Sequence, residues 1–204
     1  SNWLLEQARQ APVFRNAAYM TCSHNWIDTD VFTVADSSAL RKELHLQDKK
    51  LMLSVAAIWE ERKGLDTLLW IARRLQPEER LILIGSIPPD TQLPEQVLHI
   101  PRVDREELAQ YYSMADVFLQ PSLEETFGKV TAEAISCGTP VVCYDSTANP
   151  EIVGPGCGAV VPALDKNAML EQARQILLRG KSEYRNPCRE FALAQFDKTK
   201  LFDQ

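Results

Sequence analysis

The sequence predicts an α/β domain built on a doubly wound, Rossmann-like parallel sheet of about six strands. Three observations carry this. Short apolar runs recur at regular intervals from Leu51 onward. Most of them are continuously apolar rather than alternating, as strands covered on both faces must be. Between most of them lie stretches whose apolar residues repeat at helical spacing, and strands alternating with helices require βαβ crossovers.

Taken in order, residues 1–35 are the least regular. WLLEQARQA (3–11) reads as a short helix, AYMTCSH (18–24) as a short strand and NWIDTDVF (25–32) as a turn-rich connector. The strands follow as LMLSVAA (51–57), RLILIG (80–85), VLHIPR (97–102), DVFLQP (116–121), PVVCYD (140–145) and GAVVP (158–162). Leu65, Leu68, Leu69, Ala72 and Leu75 share one helical face. Asp104 and Glu107 form a D-x-x-E cap signal ahead of Leu108, Tyr111, Tyr112 and Ala115. Asp165 caps a later helix whose Met169, Ala173, Ile176 and Leu177 align likewise.

At 204 residues the chain can bury a full core. A net charge of -6, with no basic run longer than a pair such as Arg62-Lys63, argues against a nucleic-acid partner. The five cysteines are scattered, odd in number and without a C-x-x-C pair, which fits reduced thiols and a cytoplasmic location rather than disulfides or zinc. No apolar run approaches the ~18 residues needed to cross a bilayer, so a soluble chain is expected.

Open parallel sheets bind ligands at the carboxyl ends of their strands. Functional residues are therefore expected just after Ala57, Gly85, Arg102, Pro121 and Tyr144. The most unusual stretch lies there: PSLEETFGKVTAEAISCGTPVV, residues 121–142. It places Glu125 and Glu133 around a turn and a helix of small side chains, beginning near Phe127 or Gly128 and stopped by Gly138. A helix N-terminus with free N–H groups suits a phosphate, and Gly128 lets a ligand approach the backbone. Glu133 shares a helical stripe with Lys129 and Ser136. It is either half of a solvated Lys129–Glu133 pair or a carboxylate facing a wet cleft, where it could accept hydrogen bonds from vicinal sugar hydroxyls. Spacing leaves both readings open.

The E-x7-E pattern followed by A-x-x-C-G-T-P-V-V resembles family 4 (group 1) of the retaining glycosyltransferases, in the donor-binding domain of the GT-B fold. HNWIDTDVF (24–32), VAAIWEERKGLDTLL (55–69), LAQYYSMADVFLQPS (108–122) and STANPEIVG (146–154) fit the same family in the same order. The closest flavour is that of bacterial enzymes of exopolysaccharide and lipopolysaccharide synthesis. The resemblance implies residues 1–35 as the tail of a first domain plus connector, 36–195 as the donor domain and 196–204 as the start of a helix crossing back.

It further implies retaining transfer from a nucleotide-diphosphate sugar to a glycan or lipid-linked acceptor, without a metal or cofactor. Glu125 would stand beside the donor sugar, with Thr126, Phe127 and Gly128 shaping the site through backbone amides. Glu133 would hold the ribose hydroxyls, Lys63 and Arg62 the diphosphate, and the backbone near Arg102 and Val103 the base. A longer protein with both domains would work in the cytoplasm, with peripheral association at the membrane's inner face. The acceptor belongs to the first domain, so this chain is expected to bind donor with little turnover.

Two departures stand out. Many relatives place Gly-Arg where this chain has Ala57-Ile58, and Arg62, within a W-x-x-R-K-G variant, could replace that charge. STANPE also lacks the Gly-Gly pair common before the acid, which puts sugar contacts from that loop in question. The alternatives are a nucleotide-sugar epimerase of the same architecture and a non-catalytic nucleotide-sugar-binding module. Asp28-Thr29-Asp30 reads as turn chemistry rather than a metal-binding D-x-D. GPGCG (154–158) precedes a strand instead of opening a helix, so it fails as a phosphate loop, and His24, His45 and His99 have no ligand spacing.

Overall fold

Strand β1 (Lys50–Ile58) shows why the sheet is interior. Leu51, Leu53 and Val55 enter one apolar cluster while Met52 and Ala56 enter another. Both sets are buried, so neither face of the strand meets water. In this computed structural model, which describes residues 1–199, β1 pairs in parallel with β2 (Glu79–Ser86) on one side and β4 (Val117–Gln120) on the other. β3 (Val97–Ile100), β5 (Val141–Asp145) and β6 (Gly158–Pro162) complete an all-parallel sheet of order β3-β2-β1-β4-β5-β6. That is the doubly wound order, and its switch point lies between β1 and β4.

Helix α1 (Asn2–Gln10) and the short α2 (Ser38–Glu43) precede the sheet. On one face pack α4 (Arg105–Met114), α5 (Lys129–Ser136) and α8 (Ser182–Gln195), together with Ile27 and Phe32 of the connector. On the other pack α3 (Leu65–Ala72) and α7 (Lys166–Arg179), while α6 (Asn149–Ile152) is a single turn after β5. The caps read from sequence are real: Asp104 accepts from Glu107 N at 2.8 Å and Asp165 from Ala168 N at 2.9 Å.

Several boundaries move. β3 ends at Ile100 because Pro101 has no N–H for the ladder, and α3 ends at Ala72, leaving Leu75 buried beyond it. AYMTCSH is not a strand. It lies across a cavity from α1, and an extended segment becomes a strand only where a neighbour takes up its backbone groups. Among the described residues, the connector's one bridge is Ile27 with Asp197. The helix expected over 196–204 falls largely outside the described residues.

Candidate functional site

Two crossover turns meet at the switch point. The first leaves β1 through a register shift between Val55 and Ile58 and runs through a 3₁₀ turn, Glu61–Lys63. Gly64 then starts α3 at φ 75°, and a Cβ there would lie 2.4 Å from the carbonyl oxygen of Pro121. Only glycine lets the lysine turn sit against the end of β4. Leu123 N donates to the Arg62 carbonyl at 2.8 Å, stitching the two turns together.

The second turn carries Glu125 and is held from behind by the segment after β5. Asn149 Nδ2 donates to the Ser122 carbonyl at 2.7 Å and Ser146 Oγ to the Leu123 carbonyl at 2.7 Å. Thr147 Oγ1 accepts from Glu125 N at 2.9 Å. Thr147 itself has φ 50°, an unfavourable conformation for a β-branched residue, kept because its neighbours are tied down on both sides. The result is a lysine and a glutamate, 62 positions apart, in contact: Lys63 Nζ donates to Glu125 Oε1 at 2.6 Å.

A cavity of about 260 Å³ opens over this pair, lined by Ala57, Ile58, Arg62, Lys63, Glu125 and Lys129 among others. It shares a wall of Val55, Ala56, Ala57 and Val130 with a second cavity of about 610 Å³, which Arg102 and Val103 close on the far side. A third, of about 470 Å³, adjoins at Arg62 and Glu125 and is bounded by Trp3, Thr126 and Thr147. Together they form a cleft along the carboxyl edge of the sheet.

The expected residues divide within it. Arg62 is exposed and paired with Glu60 at 3.1 Å, while Lys63 and Glu125 are half-buried and paired with each other. Thr126 is exposed. Phe127 turns its ring into the core, edge-on to Phe196 at 5.6 Å, so only its backbone remains for a ligand. Gly128 starts α5 at φ 83°, and a Cβ there would meet nothing closer than Thr131 Oγ1 at 3.5 Å.

Glu133 is not half of a solvated pair. It is only 6% exposed, and no ion pair joins it to Lys129 among the described residues. The reason is that α5 is clamped between the sheet and α8: every residue from Thr131 to Ser136 is buried, so no face of this stretch is left to solvent. Tyr112 Oη donates to Glu133 Oε2 at 3.1 Å. Burial pushes the Glu133 carboxyl up to about 7, against the Tyr112 hydroxyl and the charges of Lys129 and Arg105, which pull it down. Glu133 is not itself in the cavity wall; it lies one turn beyond Val130, which is.

Geometry adds four residues that sequence did not single out for a ligand: Lys129 and Trp3 in the cavity walls, Thr147 behind Glu125 and Tyr112 on Glu133. Lys129 could have been found, since it stands in the first turn of a helix, where the dipole disfavours a cation. The other three depend on long-range placement. The acid of STANPE is occupied elsewhere: Glu151 caps α1, accepting from Asn2 N at 2.7 Å and Trp3 N at 2.6 Å. The D-x-D carboxylates Asp28 and Asp30 are bound by Lys198 Nζ at 3.1 and 3.0 Å, as a salt-bridged turn would be. His99 Nε2 lies 2.8 Å from the Gly85 carbonyl oxygen.

A doubly wound sheet with a cleft at its switch point, walled by Arg62, Lys63, Glu125 and Lys129, has the architecture of the open α/β proteins that bind ligands at the carboxyl ends of their strands. Residues 36–194 match the family of group 1 glycosyl transferases, and the chain belongs to it. It is 30% identical over 184 residues to the D-inositol 3-phosphate glycosyltransferase of Mycobacterium sp. (strain JLS), covering 83% of this chain and 42% of that protein. Against an uncharacterized 41.2 kDa protein of the cps region of Klebsiella pneumoniae it is 29% identical over 164 residues, covering 78% of this chain and 46% of the other. The chain thus spans less than half the length of these relatives.

Among solved structures, sucrose-phosphate synthase from Thermosynechococcus elongatus superposes with a TM-score of 0.78 at 25% identity, over 96% of this chain and 54% of that one. Anabaena HepE in complex with UDP-glucose superposes with a TM-score of 0.78 at 19% identity, over 90% and 55%. The chain is thus a group 1 glycosyltransferase domain of GT-B type.

Proposed function

We propose that this chain is the donor-binding half of a retaining glycosyltransferase that moves a sugar from a uridine-diphosphate donor to a glycan or lipid-linked acceptor in cell-surface polysaccharide synthesis. The observation that carries the reading is the Lys63–Glu125 contact at the switch point, with a cavity on each side. The complex of HepE with UDP-glucose supports the choice of donor, and the cps-region relative supports the polysaccharide role. The acceptor would be held by the remainder of a longer protein, at the inner face of the cytoplasmic membrane.

In this reading the bond from the anomeric carbon to the diphosphate oxygen breaks, and the acceptor hydroxyl bonds to the same face of the sugar, giving its proton to the departing diphosphate oxygen. The leaving diphosphate gathers negative charge, which Lys63, Arg62 and the N–H groups opening α5 balance. Glu125 releases Lys63 to the diphosphate and positions the sugar, acting on charge at its carbon rather than as a covalent nucleophile. The base would occupy the larger cavity beside Arg102 and Val103, and the ribose would lie over Glu133 between the two.

Calorimetric titration with UDP-glucose, GDP-mannose and ADP-glucose tests this. UDP-glucose should bind, and Lys63→Ala should weaken it at least tenfold, about 1.4 kcal/mol. Absence of binding by the unaltered chain would overturn the reading. Interconversion of UDP-sugars by the longer protein without any acceptor would replace it with an epimerase.

A further inference from the structure

Glu133 has two oxygens in different circumstances. Oε2 accepts from Tyr112 Oη. Oε1 has no hydrogen-bond partner among the described residues, yet it is not among the polar atoms shut away from solvent. One turn earlier on α5, Val130 lines both the 260 Å³ and the 610 Å³ cavities, so Glu133 follows their shared wall along the helix.

Tyr112 cannot follow the carboxylate if it moves. Its side chain is wholly buried on α4, and its ring meets Phe32 and Phe118 edge-on at centroid distances of 6.0 and 5.7 Å. Its backbone carbonyl accepts from Lys181 Nζ at 3.2 Å and from Thr139 Oγ1. The hydroxyl is therefore a fixed donor, and it leaves Glu133 one acceptor oxygen to present.

We propose that Tyr112 is a positioning residue for nucleotide binding: by fixing Oε2 of Glu133 it presents Oε1, as a carboxylate, to the vicinal hydroxyls of the ribose. The inference rests on the donor-binding reading above and adds a linkage to it. A neutral carboxyl carries an O–H that competes with the ribose hydroxyls for the same lone pairs, whereas the anion only accepts. Binding to the protonated form therefore releases one proton from Glu133 to solvent. The groups facing the carboxyl are Tyr112 and Arg105 from α4, and Lys129 and Cys137 from α5 itself. Burial pushes the Cys137 thiol up to about 12, so it stays neutral through the range of interest. The Tyr112 phenol is likewise held well above its ordinary value, by burial and by Glu133, so it remains a donor.

The test is calorimetric titration of UDP-glucose into the chain from pH 5.5 to 8.5, in two buffers of different ionisation enthalpy. Its diphosphate is esterified at both ends and does not titrate near neutrality. Affinity should rise about tenfold from pH 6 to pH 8, with nearly one proton released at pH 6 and almost none at pH 8. Tyr112→Phe keeps the ring and removes only the donor. Its affinity at pH 7 should fall roughly threefold to tenfold, and the pH midpoint should move to higher pH. Glu133→Gln should bind more weakly at every pH, with the pH dependence gone.

A packing role for Tyr112 would lower thermal stability without moving the midpoint. A Tyr112→Phe profile that overlays the wild type would therefore overturn the proposal, as would pH-independent binding by the wild type; in both cases the donor-binding reading stands. Failure of the unaltered chain to bind UDP-glucose would remove both.

Discussion

The two edges of the sheet both carry charged side chains and treat them differently. At the amino edge the buried groups are saturated. Arg41 Nη2 reaches both oxygens of Asp116 at 2.9 Å, and Asp116 also accepts from Leu51 N. Glu79 is bound by Arg174 through Nε and Nη2 at 3.0 and 2.9 Å and by Gln76 N at 2.8 Å. Lys181 Nζ is surrounded by three carbonyls from the end of α4 and by Thr139 Oγ1, at 2.6 to 3.2 Å. At the carboxyl edge capacity is left over: one oxygen of Glu133 is unbonded, and Lys129 has no carboxylate in ion-pair range among the described residues. Saturated charges fasten a fold; those with spare valence, beside a cavity, are the ones a ligand can use.

That contrast can be broken most sharply at Lys181. Lys181→Met keeps the apolar stem and strands several buried carbonyls, and should lower unfolding free energy by about 4 kcal/mol in urea titrations. A loss below ~1 kcal/mol would show the amino edge to be less dependent on its polar groups than described. Burial pushes this ammonium down to about 7, yet four oxygen acceptors around a three-donor group favour its charged form.

The next effect is one of sign. Glu133, with its folded value raised to about 7, holds a proton more tightly folded than unfolded. Its contribution to stability is therefore intact below its unfolded value and falls away as pH climbs to about 7, a loss of about 3 kcal/mol. Glu133→Gln should remove that slope and be the more stable protein at pH 8, read by chemical denaturation across pH.

Glu79 should behave oppositely. Burial alone would raise its carboxyl, but Arg174 and the Gln76 N–H outweigh it and hold it below the ordinary value. Its contribution is present above the unfolded value and lost as pH falls through the folded one. Glu79→Gln should cost about 2 kcal/mol at pH 7 and little at pH 3. Equal slopes for the two acids would dissolve the distinction between the edges. The smallest expected effect is that of EDTA, which should leave UDP-glucose affinity within about twofold, on the proposal that the chain's own cations meet the diphosphate.

The parallel, doubly wound class followed from the alternation of apolar runs and amphipathic stretches because that pattern encodes crossovers directly; the order of the strands was set by pairings no local pattern reports. The helix bearing Glu133 was equally legible, and its enclosure on every side was not. A run of Ala, Ser and Thr looks mildly polar to any periodicity argument, although here those side chains are small because α8 and the sheet crowd both sides. Glu125 was recognised from motif resemblance; its contact with Lys63 depends on Gly64 fitting against Pro121, which no local pattern reports. Tyr112 was legible as one of the apolar-periodic residues behind the Asp104 cap, and nothing in one sequence says that its hydroxyl meets a carboxylate 21 positions on.

The hold of Glu151 on the first turn of α1 bears on where this unit can be cut. Trp3 walls the cavity beside Glu125, Ile27 and Phe32 fill the core, and Arg189 of α8 grips the carbonyls of Thr29 and Phe32 at 2.9 Å. A recombinant version trimmed to the family match at residue 36 would discard all of these at once. The family match marks where sequence likeness begins; the packed body reaches back to the first helix.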